Sequence, residues 1–543
     1  MTTGANPEAT ASGMSVLTDD DARLAQLGYR PQLTRVLGLF SNFSVAFTYL
    51  SPMVGIYSLF VLGLGMAGPS YIWLTLIPLI GMLFVALVFG ELASHYPVAG
   101  ALYNYCKFSV GAGYGWFVGW FYGVALLVTV ASVDTGVVAY FASLMHNWFG
   151  WNINPAKHLT VLLVTVVLLA LQTFLNITGT RVMAQVARIG VYVELVGTFG
   201  IAIVLGINGF HHGFGYLFSS QGAQYVHTNA LGFNFHGSWL TGAALIAVLA
   251  PVYIFYGFES AGDIAEETKD ASRLIPRAMR LALIWGGIAS LVLTGGLLLA
   301  IPHGGIAATV SGGVPFILGQ LPQWLQDVSL LLIIYAFFSC GTSIQGAGSR
   351  LAFSYARDGA LPASGWASRI HSRFKTPVNA LIAGACITLL FVLLEFLSPS
   401  HNIHILWFTY PANVSALVSL VSFGVSGIYL AFLLTVAASI IARARGWEPE
   451  GAFRLGRWGW AVSIIAFAYL ALMFVNVVIP TGLGSPRAVF NTDWITLLVM
   501  VVIALVGAAY FIVGRPDRAL KRHLHDELEP TGAERIETHG VSS

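Results

Sequence analysis

Long apolar runs separated by short polar breaks occupy the chain from residue 36 to residue 514. Crossing a bilayer takes about 20 mostly apolar residues in a helix, because only internal hydrogen bonding satisfies the backbone where water is absent. On that criterion the runs predict spanning helices near 36–64, 71–94, 113–145, 159–177, 182–208, 238–264, 278–301, 326–356, 377–397, 412–442, 458–480 and 492–514, twelve in all. The runs at 113–145, 326–356 and 412–442 exceed the bilayer thickness and are expected to tilt or protrude. The pattern therefore reads as an all-α membrane protein with one transmembrane domain over 36–514, an N-terminal tail over 1–35 and a C-terminal tail over 515–543.

Composition agrees with that reading. Of 543 residues, 57% are hydrophobic and only 9% charged, against about 25% charged in a soluble domain. The formal net charge is +2 and no basic block carries interleaved aromatics, so nucleic acid is not an expected partner. Cys106, Cys340 and Cys386 form no C-x-x-C pair and suggest no disulfide framework. The N-terminal tail is polar, with Asp19-Asp20-Asp21, and lacks the basic start and apolar stretch of a cleaved signal, so the first span is expected to direct insertion.

The basic residues orient the chain. With the N-terminus placed in the cytoplasm, twelve spans leave only Lys157 and Arg487 outside, and every other Lys and Arg falls in inner loops and tails. Cytoplasmic loops carry such an excess. The expectation is a multi-pass protein of the cell (inner or plasma) membrane with both termini cytoplasmic.

Two spans are interrupted. The first contains Ser51-Pro52-Met53-Val54-Gly55 and the sixth Tyr256-Gly257-Phe258-Glu259-Ser260. Proline removes a backbone donor and glycine loosens a helix. Either break alone reads as a packing kink, but a matched pair points to a transporter binding site built from repeats.

Four motifs, in order, carry a resemblance. Leu27-Gly28-Tyr29 and Leu33-Thr34-Arg35 precede the first span, and Glu91-Leu92-Ala93 with Tyr96-Pro97-Val98-Ala99-Gly100-Ala101-Leu102-Tyr103 follows the second. The sixth span carries Gly257 through Lys269, including Glu266-Glu267-Thr268, followed by Ile275-Pro276-Arg277. The eighth ends in Arg350 through Pro362, with Ala356-Arg357-Asp358-Gly359. Over roughly residues 24–515 the chain resembles the amino acid–polyamine–organocation transporters, most closely the amino acid/choline transporter branch. The resemblance implies a leucine-transporter-type fold, in which helices 1–5 and 6–10 form inverted repeats and two helices follow. It also implies a substrate site between the breaks of helices 1 and 6, ringed by helices 3, 8 and 10. Many such permeases carry Gly-x-Gly at the first break, whereas Met53-Val54-Gly55 keeps only the second glycine.

The candidate chemistry follows from the breaks. Freed N–H groups of Val54, Gly55 and Ile56, beside Ser51 and Met53, would open a half-helix whose N-terminus favours an anion such as a carboxylate. Carbonyls around Phe255, Tyr256 and Gly257 would accept from an ammonium, and Phe255, Tyr256 and Phe258 would shield or stack on a cationic group, or only pack. An ionised acid costs about 2.5–3.5 kcal/mol at a helix centre on insertion scales, so Asp134, Glu194, Glu259 and Asp263 are singled out. Asp134 is expected to meet a substrate amine, and Glu259 to pair with substrate or carry a proton. Asp263, Glu266 and Glu267 are expected at a cytoplasmic gate, against Arg350 and Arg357, and Glu91 in a structural ion pair. Small polar residues of the eighth span (Ser339, Thr342, Ser343 and Gln345) either line the path or let helices approach. In several proton-coupled relatives of the resembled family a lysine stands in the fifth helix where this chain has Glu194, a reversal of sign. Glu194 is therefore read as a proton acceptor or as a ligand for a cation, with packing between helices as the alternative.

The fourteen histidines fall in tails, loops or helix ends without H-E-x-x-H, and neither a Gly-x-Ser-x-Gly elbow nor a phosphate loop occurs. No metal, cofactor or enzymatic reaction is expected. The reading is a secondary active transporter, a proton symporter with sodium as the alternative coupling ion, for a small amino acid or amine among membrane lipids. An exchanger, or a channel or sensor of the same fold, is the rival.

Overall fold

A computed structural model of the chain describes residues 19–30, 32–223, 243–393, 403–405, 408–410, 416–478, 495–516 and 518. A short helix, α1 (Asp19–Gln26), precedes the first apolar run. That run forms α2 (Leu39–Leu50) and α3 (Pro52–Ala67), followed by α4 (Leu76–His95), α5 (Ala101–Ser109), α6 (Ala112–Gly136), α7 (Val138–Phe149), α8 (His158–Ile177) and α9 (Thr180–Ile207). Next come α10 (Ala244–Ala247), α11 (Leu249–Ile254), α12 (Ser260–Asp263), α13 (Ala271–Leu299), α14 (Ile306–Leu318), α15 (Gln323–Arg357), α16 (Ser364–Ala367) and α17 (Val378–Leu393). Two three-residue strands, β1 (Ile403–Ile405) and β2 (Phe408–Tyr410), pair antiparallel before α18 (Ala416–Ala444), α19 (Gly459–Val478) and α20 (Ile495–Gly514).

Among the described residues, ten helical stretches are long and apolar enough to cross a membrane, with α2–α3 and α6–α7 each taken as one stretch, and each overlaps a predicted run. Two runs fall short of that criterion. The sixth is cut into α10, α11 and α12, and the ninth forms the sixteen-residue α17. The long third run is divided at Val137 into α6 and α7. An apolar helix of 13 residues, α14, lies in the connection after α13, where no span was expected, and is kinked at Gly313 with φ 67°. The outward faces of α8, α9, α19 and α20 expose Val167, Phe174, Ile207, Leu472 and Leu505, as befits helices standing in hydrocarbon.

The first break has a local cause. Ser51 ends α2 in the left-handed region at φ 37°, and Pro52, with no N–H to give, opens α3. In the sixth run Phe255 leaves helical geometry and Gly257 takes φ 104°. The two breaks press together. A Cβ on Gly55 would collide with the Ile254 side chain, so glycine alone fits this contact between α3 and α11. Around the breaks, α2 packs against α9, α13 and α15, while α6 packs along α18.

Candidate functional site

The half-helix α3 begins with the N–H groups of Met53, Val54 and Gly55 in use. A helix N-terminus leaves its leading N–H groups unpaired, to be met by side chains or ligands. Here Pro52 has none, Met53 donates to Glu194 Oε2 at 3.2 Å, and Val54 donates to Ser51 Oγ at 3.2 Å. Gly55 donates to the Ser51 carbonyl at 3.1 Å in the ordinary helical way, and Ile56 lies buried in the same turn. The expectation of freed Val54 and Gly55 donors is therefore corrected: Ser51 caps them, by side chain and by carbonyl. The Ser51 hydroxyl in turn donates to Glu194 Oε1. The Glu194 carboxyl accepts both contacts, at the positive end of α3.

α9 reaches this point through small residues. Gly190, Glu194 and Gly197 follow at i, i+4 and i+7, one face of a helix. A Cβ on Gly190 would lie 2.7 Å from Thr48 Cγ2, and one on Gly197 would lie 2.6 Å from Met53 Sδ. The two glycines let α9 approach the break closely enough for the fully buried Glu194 to reach it.

At the second break, Gly257 N–H donates to Glu259 Oε2 at 2.7 Å. The Gly257 carbonyl, expected to be free for an ammonium, accepts from Ser260 instead, from its N–H at 3.1 Å and its hydroxyl at 2.6 Å. The Tyr122 hydroxyl from α6 lies 3.2 Å from Glu259 Oε1 and 2.8 Å from Asp263 Oδ2. Asp263 thus turns to Tyr122 and Glu259 rather than to Arg350 or Arg357, and its Oδ1 has no partner among the described residues. Of the aromatics, Phe255 is buried at the break and Tyr256 meets Tyr49 edge-on at 6.0 Å between centroids. Phe258 packs with Phe89 and Phe432 and belongs to the helix core. Asp134 stands in another cluster, where its Oδ1 accepts from Gln172 Nε2 of α8 at 2.7 Å.

One end of the bundle is tied by ion pairs. Arg350, fully buried, forks onto Glu267 at 3.0 and 3.1 Å, and Thr180 Oγ1 donates to the same carboxylate at 2.5 Å. Arg357, seven residues on, forks onto Glu266 at 2.9 and 3.1 Å and lies 4.0 Å from the Tyr29 ring centroid. Planar forks of this kind match carboxylate geometry and fix it. Lys107 meets Asp358 at 2.6 Å, where Tyr103 donates at 2.6 Å. Glu91 pairs with Arg443, as expected of it. The tail joins this end too: Asp20 accepts from the Ala271 N–H at 2.6 Å, capping α13, and Arg35 pairs with Asp21 at 2.8 Å.

The sequence reading missed three contributors. Tyr122 sits in an aromatic-rich apolar run that marks no role for it. Asn42 Nδ2 ties α2 to the sixth run by donating to the Ala261 carbonyl at 3.0 Å and to Thr268 Oγ1 at 2.9 Å. Thr48 meets Ser343 at 2.7 Å, so one small polar residue of α15 does face the first span, whereas Gln345 turns to Thr173 and Asn176 of α8.

The family model described as amino acid permease matches residues 37–513. Among curated proteins, an uncharacterized amino-acid permease of Schizosaccharomyces pombe is 26% identical over 508 residues, covering 92% of this chain and 86% of its own length. The amino-acid permease BAT1 of Arabidopsis thaliana is 25% identical, covering 91% of this chain and 95% of its own. A Candida albicans protein named as a polyamine transporter is 25% identical, covering 94% and 90%.

Proposed function

The chain belongs to the amino acid permease family, and from that premise we propose that it is a proton-driven symporter working by alternating access in the cell membrane. Membership itself makes it a multi-span membrane transporter of amino acids or amines and not an enzyme. The finer reading takes the two apposed breaks as the substrate site and the Glu266–Arg357 and Glu267–Arg350 pairs as a cytoplasmic gate, drawn closed.

The observation that carries proton coupling is the position of Tyr122 between Glu259 and Asp263. A phenol has one O–H to donate. It can be given outright to only one of the two carboxyl oxygens it faces. The other contact is a good hydrogen bond only when that carboxyl carries a proton and donates it to the phenol oxygen. One shared proton therefore fits the geometry, and two bare carboxylates around one phenol repel. Glu194, read from the sequence as the coupling residue, takes a different place in this proposal. Its contacts are both donors, so in this proposal it serves as the acceptor that holds α3.

The test is uptake into proteoliposomes. An inward proton gradient should drive accumulation of an amine or amino acid above its external concentration, and a protonophore should abolish it. Uptake that needs a counter-substrate, or a sodium gradient, would overturn the proposal.

A further inference from the structure

We infer that the substrate is an organic amine cation carrying no carboxylate next to its ammonium group. This rests on the transport reading above and names the substrate class of the same site.

The first argument is an account of donors. An α-amino acid brings a carboxylate and an ammonium, and a half-helix N-terminus is the natural seat for the carboxylate. At the start of α3 that seat is taken. Met53 N–H and the Ser51 hydroxyl both donate to Glu194, Val54 N–H is capped by Ser51, and Pro52 has no N–H. A substrate carboxylate would have to expel Glu194 or lie against a carboxylate with no donor left for itself. Each route leaves a buried acceptor unpaired.

The second argument is an account of charge. Glu194, Glu259 and Asp263 are fully buried, and among the described residues none of them is paired with a lysine or arginine. Their partners are neutral donors: Ser51, Met53 N–H, Gly257 N–H and Tyr122. Even with one proton shared at Tyr122, the second break lacks a positive charge, and Asp263 Oδ1 and the Tyr49 hydroxyl have no partner there among the described residues. An ammonium brings what the site lacks, namely charge and several N–H donors. A carboxylate brings what the site already has in excess.

The experiment compares two molecules that differ only in the α-carboxylate, 1,4-diaminobutane and ornithine, by direct binding to the purified full-length protein in nanodiscs. The parent should bind 1,4-diaminobutane at least ~10-fold more tightly than ornithine, since the acid leaves polar groups unpaired. Glu194→Ala should narrow that ratio by improving ornithine, because it vacates the Met53 N–H and the Ser51 hydroxyl. If this variant does not purify as a folded protein, Glu194→Gln carries the test, and removal of the charge should narrow the ratio in the same direction. Ornithine binding as tightly as the diamine, a ratio unmoved in the folded variant, or binding of neither molecule at millimolar concentration each overturn the inference. An intact preference without proton-driven accumulation supports it while counting against the symport reading, so the two failures are separable.

Discussion

The backbone of Gly257 lies directly against that of Leu50: a Cβ at Gly257 would sit 2.7 Å from the Leu50 nitrogen and 2.8 Å from the Tyr49 ring. Gly257 also holds φ 104°, a conformation that side chains with a Cβ rarely adopt. Gly257→Ala therefore meets backbone rather than a movable side-chain end. The substitution should cost roughly 1–3 kcal/mol in local strain alone and force the breaks apart. The expected result is a membrane-inserted protein with a lowered melting temperature and no measurable uptake. Normal uptake would show that the breaks need not touch.

Both breaks were legible in the sequence because their causes are local: Pro52 withholds a donor, and Gly257 permits a positive φ. Partners were less legible. The face formed by Gly190, Glu194 and Gly197 can be read from spacing, but nothing in the spacing says that it meets Ser51 and Met53 some 140 positions away. The partner of Asp263 is hidden for a similar reason. The sequence places it next to Glu266 and Glu267, yet Asp263 ends α12 whereas the two glutamates sit in the 3-10 turn Ala265–Glu267 that follows, and among the described residues only those two meet arginines. Tyr122 carried no signal at all, since a phenol in an apolar run is readable only once the fold puts two acids beside it.

Arg350 is fully buried and its fork onto Glu267 is central to the tied end. Removing one member of a buried pair strands the other and costs about 3–5 kcal/mol. Arg350→Gln should therefore bias the protein toward opening at that end. In a background with the native cysteines replaced, Ser354→Cys, buried against Gly100, should react with maleimide much faster when Arg350→Gln is added. Equal labelling rates would show that the pair does not hold this end shut.

Lys107 and Asp358 give a stability prediction with a defined sign. Burial pushes the Asp358 carboxyl up, but Lys107 and Arg357, with hydrogen bonds from Lys107 and Tyr103, outweigh it and hold the group below the usual carboxylate range. A depressed folded value contributes stability that is present above the unfolded value and lost as pH falls through the folded one. The contribution should thus be complete at neutral pH and fade only below about pH 4. Asp358→Asn keeps a single acceptor oxygen for Tyr29 and Tyr103 and removes the charge opposite Lys107, at a cost of about 3–5 kcal/mol. Adding Lys107→Met should recover most of that loss in a thermal melt, and a double variant no more stable than the single one would contradict the account.

Topology is testable at four exposed positions. Gln221 and Ser311 lie between spans on the side assigned outside, and Arg273, in the first turn of α13, and Glu450 lie on the side assigned inside. In intact cells an impermeant maleimide should label Gln221→Cys and Ser311→Cys, and should reach Arg273→Cys and Glu450→Cys only after permeabilisation. The opposite pattern would invert the chain and place the Arg350 and Arg357 pairs at the outer face.

Tyr122→Phe addresses coupling most directly. The ring stays, so packing is preserved, while the O–H that bridges Glu259 and Asp263 is removed. Without it the two carboxyls lose their shared partner, and the proton has no bridge between them. Proton-driven accumulation in proteoliposomes should fall by roughly tenfold or more, as expected when a positioned proton-transfer group is lost. The pH dependence of uptake should flatten with it. A folding defect is separated from a coupling defect by a thermal melt, since leaving a buried acceptor without its donor costs about 1–3 kcal/mol of stability and so lowers the melting temperature without unfolding the protein. If Tyr122→Phe accumulates substrate as the parent does, with the same pH profile, the proton does not travel through Glu259 and Asp263. Glu194 would then be the remaining buried acid at the breaks to examine.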